Sequence, residues 1–484
     1  MLNFISNQKP ELNSESISVF FYSKNQIDDI IKKLESYSFT PDNAVMKTLL
    51  ADNEEGLLLP IKNENEHKTV YFNFIDLSKP NALRNSGSTL VKYLSKKNYK
   101  DVNIDLQPAV SNPSIQHFRE LLEGFYLGGY KFDKYKSDKK EVKNKNITFI
   151  TGFELTPLFK EIDLLFKGVD FSRDMSNEPA NFLTPAKFAE LIKKEIASDK
   201  VEVTVIERPE LEEKKFGLIL NVGGASDNPP CLIKLHYKPK TAKKKIALVG
   251  KGVTYDAGGL SIKTTAGMFE MKADMAGAGS VAGAVHAAAL NDLPYEIIAL
   301  IPAVENMISG NSYKPGDILT AYNGKTVEIG DTDAEGRLIL ADALAYADEF
   351  KPDYIVDLAT LTGAAYIALG SLYSAGFSTD DKLVNVFETA GKVSYELVWR
   401  MPLVEEYKPF LETEIADIKN LGPRQAGAIT AAEFLHFFVN KETPWLHLDI
   451  AGPSIKSDTL DYYKNYNTGY GVRLIYQVLK SESL

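Results

Sequence analysis

The chain is poor in the residues that carry several common chemistries. It has 484 residues and one cysteine, Cys231, so no intramolecular disulfide framework can form and the composition fits a reducing compartment. Cys231 reads as a small apolar residue beside the strand Cys231–Leu235, not as a nucleophile. Its six histidines, His67, His117, His236, His286, His436 and His447, never fall in a His-Glu-x-x-His pattern, which excludes the helix-borne zinc protease. There is no run of 18 apolar residues. No N-terminal stretch combines basic residues, an apolar core and a cleavage site, and the expectation is a cytoplasmic protein outside the membrane. Basic residues are not in excess: 55 Lys and Arg stand against 65 Asp and Glu, a net charge of −10. That balance argues against a nucleic-acid surface spread over the whole molecule. Gly277, Gly279 and Gly283 are spaced one residue too widely for G-x-G-x-x-G, and Gly250-Lys251-Gly252 lacks the upstream glycine and following Ser/Thr of a P-loop. No internal repeat or low-complexity tract occurs.

What the chain does have is concentrated between Lys251 and Arg337. One segment reads Lys251-Gly-Val-Thr-Tyr-Asp256-Ala-Gly-Gly-Leu-Ser-Ile-Lys263, followed by Glu270-Met271-Lys272-Ala273-Asp274; a second reads Asp331-Thr-Asp333-Ala-Glu335-Gly-Arg337-Leu338. A lone aspartate is ordinarily a solvated surface group or a cap. Here the charges are flanked by glycines and apolar residues, and carboxylates held together in such surroundings repel one another unless cations neutralise them. Oxygen ligands in that number can hold two divalent cations. A pair roughly 3.5–4 Å apart clamps the attacking and polarised oxygens of a hydrolysis.

Local patterning places these residues at the ends of elements. Ile246-Ala-Leu-Val-Gly250 reads as a buried strand, so Lys251 and Asp256 leave its end, where ligands collect. Met275-Ala-Gly-Ala-Gly-Ser-Val-Ala-Gly-Ala-Val is a small-residue stretch able to pack closely under the site. An Asn323-Gly324 hairpin signal precedes Val327-Glu-Ile-Gly-Asp-Thr, predicted to stay extended up to the acidic cluster so that Asp333 and Glu335 point the same way. From Gly336 onward a buried helix is expected. Lys251 is the least obvious ligand, because an amine binds metal only after losing its proton, from a reference pKa of about 10.4.

At these residues the chain resembles the leucyl aminopeptidase family of cytosolic two-metal exopeptidases. Thr332-Asp-Ala-Glu-Gly-Arg-Leu338 matches the family signature. Further matches are Val249-Gly-Lys-Gly, Asp256-Ala-Gly-Gly-Leu-Ser-Ile-Lys263, Met271-Lys-Ala-Asp274, Asp357-Leu-Ala-Thr-Leu-Thr-Gly363, Ala426-Gly-Ala-Ile-Thr-Ala-Ala432 and Leu448-Asp-Ile-Ala-Gly452. The resemblance covers about residues 155–484. It implies that Asp256 and Glu335 bridge two metals, that Lys251 and Asp274 complete the readily exchanged site, and that Asp333 completes the tighter one. It implies Lys263 as the oxyanion-stabilising charge and Arg337 as the holder of a bicarbonate that relays a proton. Met271, Thr360, Leu361, Gly363 and Ala451 map to the substrate site, with medium apolar first residues, leucine among them, fitting best. Zinc, manganese, cobalt and magnesium all suit such ligands. The resemblance also implies a homohexamer acting on peptides with a free N-terminus. Two positions depart from the family pattern: Ser454 stands where a bulkier apolar residue is expected, and Asp331 stands where the signature has asparagine.

The expected architecture is α/β in two domains. Residues 1–153 form a smaller N-terminal α/β domain, 154–176 a linker helix, and 177–484 a larger catalytic α/β domain with a mixed central sheet. In the first, Ile17–Tyr22, Thr69–Phe74, Val102–Leu106 and Ile147–Ile150 are candidate strands, with helical patterns around 81–98 and 113–130 and a charged solvated loop at 131–143. A two-metal phosphoesterase and a non-catalytic binding protein are the rival readings; the lysine ligand and the signature oppose the first, and the filled catalytic positions oppose the second.

Overall fold

Apolar runs long enough for strands alternate along this chain with helical stretches, the pattern that builds mixed sheets covered by helices. The structure, a computed structural model, describes residues 2–8, 16–23, 27–36, 46–47, 50, 57–63, 66–138, 144–457 and 459–481. The chain divides into two compact units, one comprising Met1–Asp163 with Leu460–Lys464 and the other Leu164–Thr459 with Asn465–Leu484. Each has its own sheet.

Among its described residues the first unit holds six strands, β1 (Leu2–Asn7), β2 (Ser16–Tyr22), β3 (Leu57–Asn63), β4 (Glu66–Phe74), β5 (Asp101–Asp105) and β6 (Lys145–Ile150), in the order β1-β6-β5-β2-β4-β3. All neighbours are parallel except the antiparallel pair β3 and β4. The helices Ala82–Ser95 and Ile115–Gly129 fall on the two predicted helical patterns. Strands β1 and β3 and the helix Ile27–Ser36 lie outside the sequence-predicted elements. β1 alternates between exposed and half-buried positions at a sheet edge, so its apolar residues form no continuous run. Residues 131–138 lack regular structure and are mostly exposed; the rest of the expected charged loop, 139–143, lies outside the described residues. The helix Thr156–Asn177 follows.

The second unit is built on a nine-stranded mixed sheet. Its strands are β7 (Val201–Ile206), β8 (Cys231–Tyr237), β9 (Lys245–Gly250), β10 (Gly252–Asp256), β11 (Glu296–Asn306), β14 (Tyr354–Ala359), β15 (Tyr373–Ser378), β16 (Leu397–Arg400) and β18 (Trp445–Asp449). The order is β16-β15-β18-β14-β9-β11-β8-β7, with β10 paired to β11. The strands β18, β14, β9 and β11 run parallel, and β10 runs parallel to β11. Their residues are nearly all buried, as expected of parallel strands covered on both faces. A smaller sheet joins β12 (Ile318–Thr320), β13 (Thr326–Glu328) and β17 (Ile418–Lys419), with the Asn323-Gly324 turn closing the β12–β13 hairpin.

The small-residue stretch is the helix Ala276–Leu290. A Cβ on Gly250 would lie 2.7 Å from the Ala278 Cα, so glycine lets this helix touch the sheet backbone. Lys251 is pinned there from both sides: its N–H donates to Leu358 O at 3.0 Å, and its carbonyl accepts from Ala278 N at 2.9 Å. The parallel strands therefore deliver their C-terminal ends, Gly250, Asp256, Asn306, Ala359 and Asp449, to one edge of the sheet.

Candidate active site

Four carboxylates and two lysines meet at that edge. Lys251, 3% exposed, places Nζ 2.8 Å from Asp274 Oδ2 and 2.9 Å from Glu335 Oε1, and donates to the Thr360 carbonyl at 2.9 Å. Lys263 places Nζ 2.8 Å from Asp256 Oδ2 and also contacts Asp333 Oδ1. Carboxylate oxygens of Asp256, Asp333 and Glu335 lie within 4.8 Å of one another. All seven charged residues predicted from sequence are in this region, Arg337 included.

The local geometry differs from the extended run expected before the cluster. β13 ends at Glu328, and Asp331–Ala334 is a turn in which Asp333 N donates to Asp331 Oδ1 at 2.9 Å. Glu335 then opens the buried helix Glu335–Ala347. Asp333 and Glu335 converge because a turn feeds a helix, not because they alternate along a strand. The short polar side chain of Asp331 closes that turn, as Asp and Asn commonly do. On the other side, an irregularity in β10 between Val253 and Tyr255 precedes Asp256, and a single 3-10 turn, Met271–Ala273, leads into Asp274.

Charge is unbalanced here. With all four ionised, Asp256, Asp274, Asp333 and Glu335 would set four negative charges against the two of Lys251 and Lys263, with the buried Arg337 near Glu335. Burial first, then the neighbouring Asp256 charge, pushes the Glu335 carboxyl up to about 8. Burial likewise raises Asp274 to about 6, opposed by Lys251, and raises Asp333 against the pull of Lys263. Among the described residues, Glu335 Oε2 is buried with no hydrogen-bond partner, and Asp274 Oδ2 and Asp333 Oδ1 have lysine nitrogens at ion-pair distance without a hydrogen bond of good geometry. Burial disfavours the two ammonium ions, yet the surrounding carboxylates outweigh it and hold both above the ordinary lysine range. A donor set of hard oxygens with spare lone pairs and a deficit of positive charge fits divalent cations.

Arg337 is also buried. Its Nη1 donates to Asn420 O at 2.8 Å, its Nε has no partner among the described residues, and burial lowers its pKa to about 10, still cationic at neutral pH. It lines a cavity of about 310 Å³ with Leu421, Gly422, Pro423, Arg424, Gly427 and Thr430.

The residues predicted for substrate binding are only partly drawn together. Thr360 contacts the cluster, donating Oγ1 to Asp274 Oδ1 at 2.8 Å. Leu361 and Ala451 share a partner, Asp449, through their backbone N–H groups at 3.1 Å each. Met271 starts the turn before Asp274, and Gly363 opens the helix Gly363–Leu369. Sequence reasoning missed Asn306, whose Nδ2 donates to Asp256 Oδ1 at 2.8 Å and to Thr332 O at 3.0 Å. It also missed Asn420, which accepts from Gly330 N at 2.7 Å and donates to Asp331 O at 2.7 Å. The available signal for Asn306 was a polar residue ending a long apolar strand.

Comparison with known proteins decides the family. Residues 170–476 match the catalytic domain of the cytosol aminopeptidase family, and residues 75–139 match its N-terminal domain. The chain belongs to the cytosol aminopeptidase family. A probable cytosol aminopeptidase of Chloroherpeton thalassium is 40% identical over 83% of each chain, and one of Chlorobium limicola is 45% identical over 75% of each. A mutant of tomato leucine aminopeptidase superposes with a TM-score of 0.86 at 30% identity, covering 100% of this chain and 97% of that one. The bottromycin maturation enzyme BotP in complex with Mn gives a TM-score of 0.85 at 28% identity, covering 98% of this chain and 100% of that one. The protein is thus a peptidase hydrolase with aminopeptidase activity, and its α/β fold in two domains is that of the family. Among the described residues no helix is long and apolar enough to cross a membrane.

Proposed function

We propose that this cytosol aminopeptidase is a leucyl aminopeptidase that releases leucine and other medium apolar residues from the free N-terminus of peptides. The observation that carries the proposal is the cluster of four carboxylates and two lysines on one sheet edge, with more carboxylates than lysines. Lys251, Asp256, Asp274, Asp333 and Glu335 would hold two divalent ions, with zinc or manganese the leading candidates and cobalt or magnesium compatible. Bound there, such ions supply Lewis acidity that polarises the scissile carbonyl and lowers the pKa of water.

The chain's own groups do the remainder. Lys251 must lose its proton to serve as a ligand, which a neighbouring dication favours by replacing the positive charge the carboxylates now draw from the ammonium. Lys263, fixed by Asp256 and Asp333, carries a positive charge to where an oxyanion develops. Arg337, whose Nε has no partner among the described residues, is the proposed holder of a bicarbonate that supplies general-base chemistry. Met271, Thr360, Leu361, Gly363 and Ala451 are the proposed substrate contacts. The proposal includes a cytoplasmic homohexamer and domain limits at 1–153, 154–176 and 177–484.

The test is hydrolysis of leucinamide by metal-stripped protein before and after manganese or zinc is added, with N-acetyl-leucinamide as control. Restored activity on the free amine alone supports the proposal. Cleavage of the acetylated substrate points to an endopeptidase, and folded protein inactive with every metal points to phosphoester substrates or a binding role.

A further inference from the structure

Two loops leave the sheet edge beside the carboxylate cluster, Thr360–Thr362 after β14 and Ile450–Gly452 after β18. The first is tied to the cluster through Thr360, whose hydroxyl meets Asp274 and whose carbonyl meets Lys251. The two loops are tied to each other by one side chain. Asp449, the last residue of β18 and 1% exposed, accepts on Oδ1 from Leu361 N and Ala451 N, each at 3.1 Å, and on Oδ2 from Thr362 Oγ1 at 2.7 Å. Thr362 Oγ1 in turn accepts from Ala365 N at 3.0 Å, capping the helix Gly363–Leu369.

Leaving a charge this deeply buried is costly unless its lone pairs are met by donors. Here the donors come from both loops at once, so the position of one loop determines that of the other. The contacts also determine what the loops can offer a ligand. The Leu361 and Ala451 N–H groups are committed to Asp449 and so withheld from a ligand, and the Leu361 side chain packs, partly buried, against the hydrophobic core, which fixes the apolar lining of this loop. The carboxylate beneath them is a negative charge that interacts with Arg337 and His447, and it weakens the pull those two groups exert on an incoming anion. Its reach extends to the metal ligands through Thr360 and to the helix through Thr362.

We propose that Asp449 is a positioning residue that sets first-residue selectivity, holding Leu361 and Ala451 so that neutral apolar side chains are accepted and acidic ones refused. The inference rests on the aminopeptidase reading of this site and on the substrate contacts proposed above. It assigns Asp449 no contact with the substrate.

The experiment compares kcat/KM for leucyl, alanyl and glutamyl amides in the metal-loaded wild type, Asp449→Ala, Asp449→Asn and Thr362→Val. Asparagine keeps an acceptor for both N–H groups and removes the charge. Expected for Asp449→Ala is a leucyl-to-alanyl ratio at least tenfold lower, expressed mainly in KM, with metal content unchanged. Asp449→Asn should retain the leucyl preference and gain turnover of the glutamyl amide. If Asp449→Ala does not fold, Thr362→Val, which removes one donor and leaves the carboxylate, should move the same ratio in the same direction. Equal loss on all three amides, or no change in any ratio, overturns the proposal and leaves Asp449 a tie within the fold. A wild type inactive on every amide sinks the aminopeptidase reading first, and this inference with it.

Discussion

Gly336 lies beside Glu335, and the space its missing side chain leaves is filled by Lys251. A Cβ there would sit 2.6 Å from Lys251 Nζ and 2.8 Å from its Cδ, so Gly336→Ala must push the amine out of the cluster. The expected outcome is at least a hundredfold loss of kcat/KM, about 2.7 kcal/mol of transition-state stabilisation, with the protein still folded by circular dichroism. Asn306→Ala should act more gently. It removes a donor from Asp256, a proposed metal ligand, and losing the partner of such a ligand typically weakens affinity about 10–100-fold, measurable by competition with a chromophoric chelator. Asp331 makes a contact, to Asp333 N, that an asparagine oxygen can also make, so Asp331→Asn isolates charge from geometry. A shift in metal affinity or in the pH profile is expected, and identical behaviour of the two proteins would remove any special role for this departure from the signature.

At the scale of elements, β14 and β18 are joined by more than backbone. His447 Nδ1 lies 2.6 Å from Asp357 Oδ1, and Trp445 Nε1 donates to Asp357 Oδ2 at 2.8 Å. Burial favours neutral His447, but the Asp357 charge and hydrogen bond outweigh it and raise its pKa. A histidine raised in the folded state stabilises fully below its unfolded pKa, about 6.5, and that contribution is lost as pH climbs through the folded value. The Tm advantage of the wild type over His447→Asn should therefore be largest below about pH 6.5 and narrow as pH rises above it. The helix Ala276–Leu290 poses a steric question instead: a Cβ on Gly277 would come 2.8 Å from the Leu358 carbonyl carbon. Gly277→Ala should destabilise by about 1–3 kcal/mol, visible as a lower denaturant midpoint with unchanged slope.

For the whole molecule, the proposed metal site predicts that stability depends on cations. Ions that bind only the folded chain raise its stability by mass action, so chelation should lower Tm and manganese or zinc should restore it; a Tm indifferent to metal would contradict the proposed ligand set. Sedimentation at micromolar concentration tests the proposed hexamer, and a monomer alone would refute it.

Local order determined what could be read in the chain directly. The apolar run ending at Gly250, the small-residue stretch from Ala276 and the signature around Asp333 and Glu335 each depend on neighbours within a few positions, so periodicity and composition disclose them. Edge strand β1, with its polar alternation, left no such trace. Tertiary structure alone decided that Asp331–Ala334 is a turn, that Asn306 stands behind Asp256, and that Asp449 joins Leu361 to Ala451. Those pairings span 50 residues between Asn306 and Asp256 and 88 between Leu361 and Asp449. They exist because parallel strands bring distant C-terminal ends to one edge, a consequence of strand order that no stretch of sequence contains.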